Sequence, residues 1–416
     1  MDFNNQPSLI MLMDINSCFA TIEQQANPLL RNKPIAVAAY KTSKGSILAA
    51  SVDAKKFGIK TGMFVKDAKK LYPNLVVLTP DPNKYRYVHR KLRRLLFEYT
   101  NNVEPKSIDE FAMDLKNYPI LKKKTMIELA TEIKKRIKEE VGDYITVSIG
   151  IAPNRYLAKI AAGIKKPDGL IEINQKNYLE IFSTLKLTDL TGIKRGNAMR
   201  LRSVGIENVL EFYNAPLWKL KIAFKTVMAY NWYLRLRGYE IDAVPLKRKS
   251  FGNSVALGKN ICEVSELSPI LARLTDKMSN RLRNGGYKAK GVHLSLSFKD
   301  GSYWHKGHAL SKEMFDAREI FREALILLKE SKPTVPVRVI AVSCFDLTTD
   351  KTLQHELFSN VVKNQELIKA EDVVNNKWGE ATIGIARSFK GENIVLDRIA
   401  FGGMREMEES LNLNKN

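Results

Sequence analysis

Three carboxylates in two distant stretches carry the first chemical signal in this chain. Asp14 follows the unbroken apolar run Leu9-Ile10-Met11-Leu12-Met13, and Asp109-Glu110 opens the run that continues through Phe111-Ala112-Met113-Asp114-Leu115. Both stretches read as strands with acid at one end. Side chains on an extended strand alternate between faces, so the neighbours Asp109 and Glu110 can share a site only where the strand turns or ends. Carboxylates gathered from two strand ends make an oxygen-rich site that suits a hard divalent cation, and magnesium is the expected ion. Taken alone, an Asp-Glu pair is more often a solvated turn.

Composition favours the chemical reading. Lys and Arg number 67 against 45 Asp and Glu in 416 residues, a formal net charge of +22. Polyanions are therefore the natural partners. A hydrophobic content of 44% argues against disorder, and the length allows about two to four domains. No apolar run approaches the roughly 18 residues of a membrane span, and a basic signal-peptide region is absent, so a soluble protein of the cytoplasm is expected. Cys18, Cys262 and Cys344 are widely separated and lack CxxC spacing, which leaves no zinc site or disulfide framework in the cysteine pattern.

The elements that must position the carboxylates follow from local pattern. Asn16 or Ser17 caps a short helix carrying Phe19, Ile22 and Glu23, and the amides at such a helix N-terminus suit phosphate. Phe19 lies beside any bound nucleotide unless it belongs to the core. Pro34 to Tyr40 and Ser46 to Ser51 read as strands, Val52 to Met63 as a helix that stops at Gly58, and Lys66 to Leu71 as a second short helix. Tyr85 to Tyr99 alternates aromatic and basic residues at helical spacing. Lys122 to Val141 is expected as a helix with Met126, Leu129, Ile133 and Ile137 as its stripe, and Tyr144 to Ile151 as a buried strand. Together these give an α+β sheet with helices on one side.

Four motifs then stand in a telling order: Asp14-Ile-Asn-Ser-Cys-Phe19-Ala20, Ala54-Lys-Lys-Phe-Gly-Ile-Lys-Thr-Gly62, Ser107-Ile-Asp-Glu110, and Ala158-Lys-Ile-Ala-Ala-Gly-Ile-Lys-Lys-Pro-Asp-Gly169. With them, nearly the whole chain resembles the Y-family translesion DNA polymerases, in both the bacterial polymerase IV and polymerase V branches. The resemblance implies an α+β multidomain, right-hand polymerase. Its palm would comprise 1–20 and 77–169, small fingers 21–76, a helical thumb 170–238, a linker 239–249, a little finger 250–347 and a C-terminal extension 348–416. It also implies that Asp14, Asp109 and Glu110 hold two Mg2+ ions, with the Ile15 carbonyl completing one shell. Phe19 falls at the family's sugar-selecting aromatic, the Ser17, Cys18 and Phe19 amides lie along the triphosphate, and Lys166 matches a lysine that contacts it. Two departures stand on the fingers helix, where many relatives have Tyr and Arg and this chain has Val52 and Lys55. Lys55 keeps the charge without the bidentate fork, and Val52 cannot hydrogen-bond a phosphate.

Leu190 to Leu201 reads as a helix-hairpin-helix, with Gly192, Ile193, Lys194 and Gly196 aiming amides at a DNA phosphate. Pro245 and Lys247-Arg248-Lys249 mark a linker. A helix from Pro269 to Asn284, strands over Ala289 to Phe298 and Val337 to Ser343, and a helix from Lys312 to Lys329 resemble the little finger, whose Lys247, Arg248, Lys249, Lys288 and Lys290 would meet phosphates. Gln354-His355-Glu356-Leu357-Phe358 resembles the peptide with which bacterial polymerases dock on the sliding clamp through Gln354, Leu357 and Phe358. Residues 366–401 carry an apolar pattern without assigned chemistry. The expected function is DNA-templated nucleotidyl transfer past template lesions, by a monomer acting on primer-template DNA and deoxynucleoside triphosphates. A metal-dependent cyclase on a similar sheet has no use for a basic C-terminal domain, and the three intact acids argue against a catalytically silent DNA- or clamp-binding homologue.

Overall fold

The apolar run before Asp14 forms a strand, and its place in the fold explains its composition. The computed structural model describes residues 1–243, 248–349, 361–379, 382–391 and 394–395, the side chains of 361, 362 and 376 excepted. The described chain falls into two compact units, 1–243 and 248–395. The first unit begins with β1 (Ile10–Ile15), α1 (Cys18–Ala26), β2 (Ile35–Ala38), β3 (Ile47–Ala50), α2 (Val52–Lys56), α3 (Val65–Leu71) and β4 (Val76–Leu78). It continues through α4 (Pro82–Phe97), β5 (Val103–Pro105), β6 (Glu110–Asp114), α5 (Met126–Arg136), β7 (Val147–Ala152), α6 (Arg155–Ile164) and β8 (Leu170–Glu172). Five helices close it: α7 (Tyr178–Thr184), α8 (Arg195–Arg202), α9 (Val209–Asn214), α10 (Leu217–Phe224) and α11 (Met228–Leu236).

The main sheet has the order β5-β6-β1-β7-β8, with β1 central and antiparallel to both neighbours. Met11, Met13, Ile149 and Ile151 are fully buried on one face, and Ile10 and Leu12 are buried on the other. Because strand side chains alternate, burial of both parities means that both faces are covered. This corrects the one-sided arrangement expected from sequence. Helix α6 shares a core with Ile10 and Leu12 through Leu157, Ala158 and Ala161, while α5 packs against β7 and β8. Each Leu, Ile or Met among them contributes roughly 1.5–3 kcal/mol by leaving water. That outweighs the repulsion of Asp14 and Glu110, which face each other directly across β1 and β6.

Helix α6 approaches the sheet at one particular residue. A Cβ on Gly150 would lie 2.0 Å from the Ala158 carbonyl oxygen and 2.3 Å from the Ala162 nitrogen. Only glycine fits there, and it allows α6 to lie directly on the β7 backbone.

Several expected boundaries move. The helix foreseen from Lys122 begins at Met126, where Thr125 and Glu128 form a capping box. β4 pairs with β2 in a small β3-β2-β4 sheet, so the expected boundary between 76 and 77 cuts a strand. β8 joins the main sheet, so the region from 170 is not helical throughout. In the expected helix-hairpin-helix a 3-10 turn, Leu187–Asp189, replaces the first helix, and Gly192 turns the chain at φ 91°. The helices beyond β8 and α6 share one core, with Tyr156 edge-on to Trp232 at 5.3 Å.

The second unit comprises β9 (Ser250–Ala256), α12 (Val264–Asn284), β10 (Tyr287–Phe298), β11 (Tyr303–Met314), α13 (Ala317–Ser331), β12 (Val337–Thr349), α14 (Val361–Trp378) and α15 (Ala386–Phe389). Its antiparallel sheet has the order β11-β10-β12-β9, and α12 and α13 share a core with Val292, Leu294 and Leu296. Strands β9 and β11 were not foreseen. The helix expected from Lys312 starts only at Ala317, capped by Asp316, because Lys312 belongs to β11. Helix α12 begins before Pro269 and carries that proline inside. Residues of the unassigned 366–401 stretch dock on the same unit: Asp372 on α14 accepts two hydrogen bonds from the Arg283 guanidinium of α12.

Candidate active site

Asp14, Asp109 and Glu110 come together at one end of the central strand pair. Glu110 opens β6 directly opposite Asp14. Asp109 sits in the bend before β6, and its carbonyl accepts the Ile15 N–H at 2.9 Å, which ties the bend to the end of β1. The neighbours Asp109 and Glu110 thus share a site because the strand begins between them. Ser107 Oγ donates to Asp109 Oδ1 at 2.6 Å.

Two lysines from α6 and the loop after it hold the other acids. Lys166 Nζ donates to Asp14 Oδ1 at 2.5 Å, and Lys159 Nζ to Glu110 Oε2 at 2.7 Å. Burial pushes the Asp14 carboxyl up to about 6, with Lys166 opposing and the Asp109 and Glu110 charges adding to the rise. Burial raises Asp109 as well. The Asp109 and Glu110 charges act on Asp14 and the Glu110 charge on Asp109, which places the three acids in one electrostatic site.

Among the described residues, no three His, Cys, Asp or Glu side chains converge closely enough to hold an ion as they stand. Two of the three acids are ion-paired to lysines, whose charges a bound cation would replace. The donor set itself fits a hard divalent cation: every side-chain donor is a carboxylate, and buried like charges gain from a shared counter-charge.

On the nucleotide side, Ser17 occupies the N-cap position of α1 but does not cap it. Its backbone is left-handed, at φ 51°, and its buried hydroxyl has no hydrogen-bond partner. An orphaned buried hydroxyl beside a helix N-terminus fits a phosphate oxygen. Cys18 is buried, and burial followed by the Asp109 and Asp14 charges raises its thiol. Phe19 is 2% exposed and stacks on Tyr85 with centroids 4.3 Å apart. Lys55 lies within reach of the same charges: desolvation and then Lys166 lower its pKa, and Asp14 opposes them.

The sequence reading missed the residues that hold the loop carrying Lys166. Asn16 Oδ1 accepts the Asp168 N–H at 2.8 Å, and Asn16 Nδ2 donates to Ser148 Oγ at 2.8 Å. Ser148 Oγ in turn accepts the Gly169 N–H at 3.2 Å. Asn16 and Ser148 are both buried. Lys159 was also missed. No local spacing marks it, because Lys159 lies on α6 and Lys166 in the loop beyond the helix end at Ile164.

Of the residues expected to meet DNA, Gly192, Lys194 and Gly196 are exposed around the turn into α8, and Ile193 is fully buried, which leaves only its backbone available. Lys249 is exposed and Lys290 half-buried, while the Arg248 guanidinium lies 4.0 Å from the centre of the Phe251 ring. Lys288 contradicts the expectation of an exposed phosphate contact. It is 6% exposed, with its amine 5.5 Å from the Phe315 ring centre and 4.0 Å from Glu313. Lys247, Gln354, Leu357 and Phe358 lie outside the described residues.

Strand-borne acids, lysines facing them and a basic chain suit metal-assisted chemistry on a phosphate-bearing substrate, and comparison with known proteins gives the family. Residues 13–163 match the impB/mucB/samB family and residues 248–357 its C-terminal domain. The chain is 31% identical to DNA polymerase IV of Pelotomaculum thermopropionicum over 94% of its own length and 97% of that protein's. Among solved structures it is similar to a Y-family DNA polymerase chimera of Dbh and Dpo4, with TM-score 0.73, 25% identity, and coverage of 82% of this chain and 99% of that one. It is also similar to the insertion ternary complex of Dbh DNA polymerase, with TM-score 0.57, 25% identity and the same coverage. The chain belongs to the Y family of DNA polymerases. It is a DNA-directed DNA polymerase of the translesion class, with that family's right-hand fold and its dependence on a divalent metal cation.

Proposed function

We propose that synthesis past template lesions takes place at Asp14, Asp109 and Glu110, which would hold two Mg2+ ions, the Ile15 carbonyl completing one shell. The observation that carries this reading is the facing of Asp14 and Glu110 across β1 and β6, with Asp109 tied in by the Ile15 amide. When bound, the ions lower the pKa of the primer 3′-hydroxyl and take up charge on the triphosphate. The 3′-oxygen bonds to the α-phosphorus as the bond to pyrophosphate breaks. Lys166 moves from Asp14 to the triphosphate, and Lys55 adds a second positive charge to that side. The amides of Ser17, Cys18 and Phe19 and the orphaned Ser17 hydroxyl bind phosphate oxygens. Phe19 lies under the incoming sugar and excludes a 2′-hydroxyl.

Primer-template DNA is held by the turn at Gly192, Ile193, Lys194 and Gly196 and by Lys247, Arg248, Lys249 and Lys290. The enzyme works as a monomer in the cytoplasm and docks on a sliding clamp through Gln354, Leu357 and Phe358. No described helix is long and apolar enough to cross a membrane.

Primer extension with Mg2+ and each deoxynucleotide, on undamaged and abasic templates, tests the assignment. Asp109→Ala is expected to abolish extension on both while duplex binding stays within about twofold, because the lost charge sits at the ions and not along the DNA. Extension by that variant within about tenfold of the parent enzyme sinks the proposal.

A further inference from the structure

Two histidines stand together on the face of the C-terminal sheet that α12 and α13 leave open. On β10 the buried residues Val292, Leu294 and Leu296 point to the helices, so His293 and Ser295 point away from them. On β11, His308 reaches Glu323 of α13 at 3.0 Å, so Tyr303, His305 and Gly307 lie on the open face. His305 pairs directly with Ser295, and Gly307 with His293, which makes the two histidines diagonal neighbours.

Their surroundings hold the rings in place. A Cβ on Gly307 would lie 3.0 Å from His293 Cδ2 and 3.1 Å from its Cβ, so the His293 ring rests over the space that glycine leaves. The Tyr303 ring stacks against His305, with centroids 5.9 Å apart and an interplanar angle of 14°. In this arrangement His293 Nε2 and His305 Nδ1 share a hydrogen bond at 3.3 Å, and a cation taking both lone pairs would replace the proton between them.

That separation has a chemical meaning. Two imidazole nitrogens bound to one zinc ion each lie about 2.0–2.1 Å from it, and nitrogens spaced as these are subtend an angle of about 107° at the ion, close to tetrahedral. Imidazole pairs select borderline cations, whereas Mg2+ prefers oxygen ligands. Partial desolvation and then His305 lower the pKa of His293, which favours its neutral ring.

We propose that His293 and His305 form a binding site for one divalent cation of the zinc, nickel and copper class. Both imidazoles coordinate it, and its remaining positions face solvent, open to water or an anionic oxygen. The site lies on the second unit and the carboxylates on the first, and the two differ in ligand chemistry.

Calorimetric titration of Zn2+ into the full chain tests this, with Mg2+ in large excess so that the carboxylates do not contribute. One saturable site is expected in the parent protein, lost in His293→Ala and in His305→Ala and kept in Cys262→Ser. No saturable binding, binding unchanged in both histidine variants, or binding lost in Cys262→Ser each overturns the proposal. A measurement on the parent protein needs no variant: Zn2+ should shift the side-chain nitrogen resonances of His293 and His305 together. Unmoved resonances at saturating zinc refute the site.

Discussion

At the scale of single residues, the acids were legible and their supports were not. Asp14, Asp109 and Glu110 could be read because each stands at one end of an apolar run, a pattern visible in one dimension. Asn16 and Lys159 act across the register of β1 with β7 and the seating of α6, which no local pattern reports. Asn16 therefore gives the sharper test. Removing its amide takes its acceptor from the half-buried Asp168 N–H and leaves the buried Ser148 Oγ with the Gly169 N–H alone, at a cost of about 1–3 kcal/mol for the unsatisfied amide. Asn16→Ala should weaken binding of the incoming nucleotide about tenfold, measured in complexes on a primer that lacks the 3′-hydroxyl. If Asn16 acts through the loop of Lys166, the double variant with Lys166→Ala binds no more weakly than Lys166→Ala alone. Additive losses would show that Asn16 serves the fold only. Phe19 poses the opposite problem, since stacking on Tyr85 suits a core residue as well as a sugar-selecting one. Phe19→Ala should raise ribonucleotide incorporation relative to deoxyribonucleotide incorporation, and that ratio, taken on one preparation, cancels any loss of folded enzyme. An unchanged ratio returns Phe19 to the core.

At the scale of elements, the errors have a common cause. β11 escaped detection because it looks polar on both sides: one side is open, and on the other Lys306, His308 and Lys312 meet Glu330, Glu323 and Glu319 of α13. Paired charges beneath a helix look in sequence like a solvated surface. β9 escaped because Ser250, Gly252, Ser254 and Ala256 alternate with its larger residues, so only a short apolar signal remains. Conversely, the contact between β7 and α6 is written in one small residue. Gly150→Ala would place a methyl group 2.0 Å from a backbone oxygen, so α6 must lift from the sheet and carry Lys159 and the loop of Lys166 with it. Overpacking of this kind costs about 1–3 kcal/mol. A lower urea midpoint with an unchanged slope is expected, together with reduced extension. An unchanged midpoint would mean that the approach of α6 is looser than the structure has it.

At the scale of the whole molecule, a net charge of +22 accounts for attraction to DNA in general. It does not account for remaining at a primer end, because charge alone lets a protein slide and hop. The segment Gln354-His355-Glu356-Leu357-Phe358 offers a second attachment of a different kind, an amide and two large apolar side chains within a polar stretch, which suits a short peptide entering a preformed apolar pocket. Two readings of Leu357 and Phe358 compete, anchors for a clamp or packing within their own domain, and they separate by experiment. Replacing Gln354, Leu357 and Phe358 together by Ala should leave Tm and unassisted primer extension nearly intact while removing the stimulation given by the cognate clamp. If the two apolar residues are core, the same change costs several kcal/mol, as truncation of buried Leu and Phe does, and Tm falls accordingly. A marked drop in Tm, or full clamp stimulation in the triple variant, defeats the anchoring role, because the first result assigns these side chains to the fold and the second leaves the clamp no need of them.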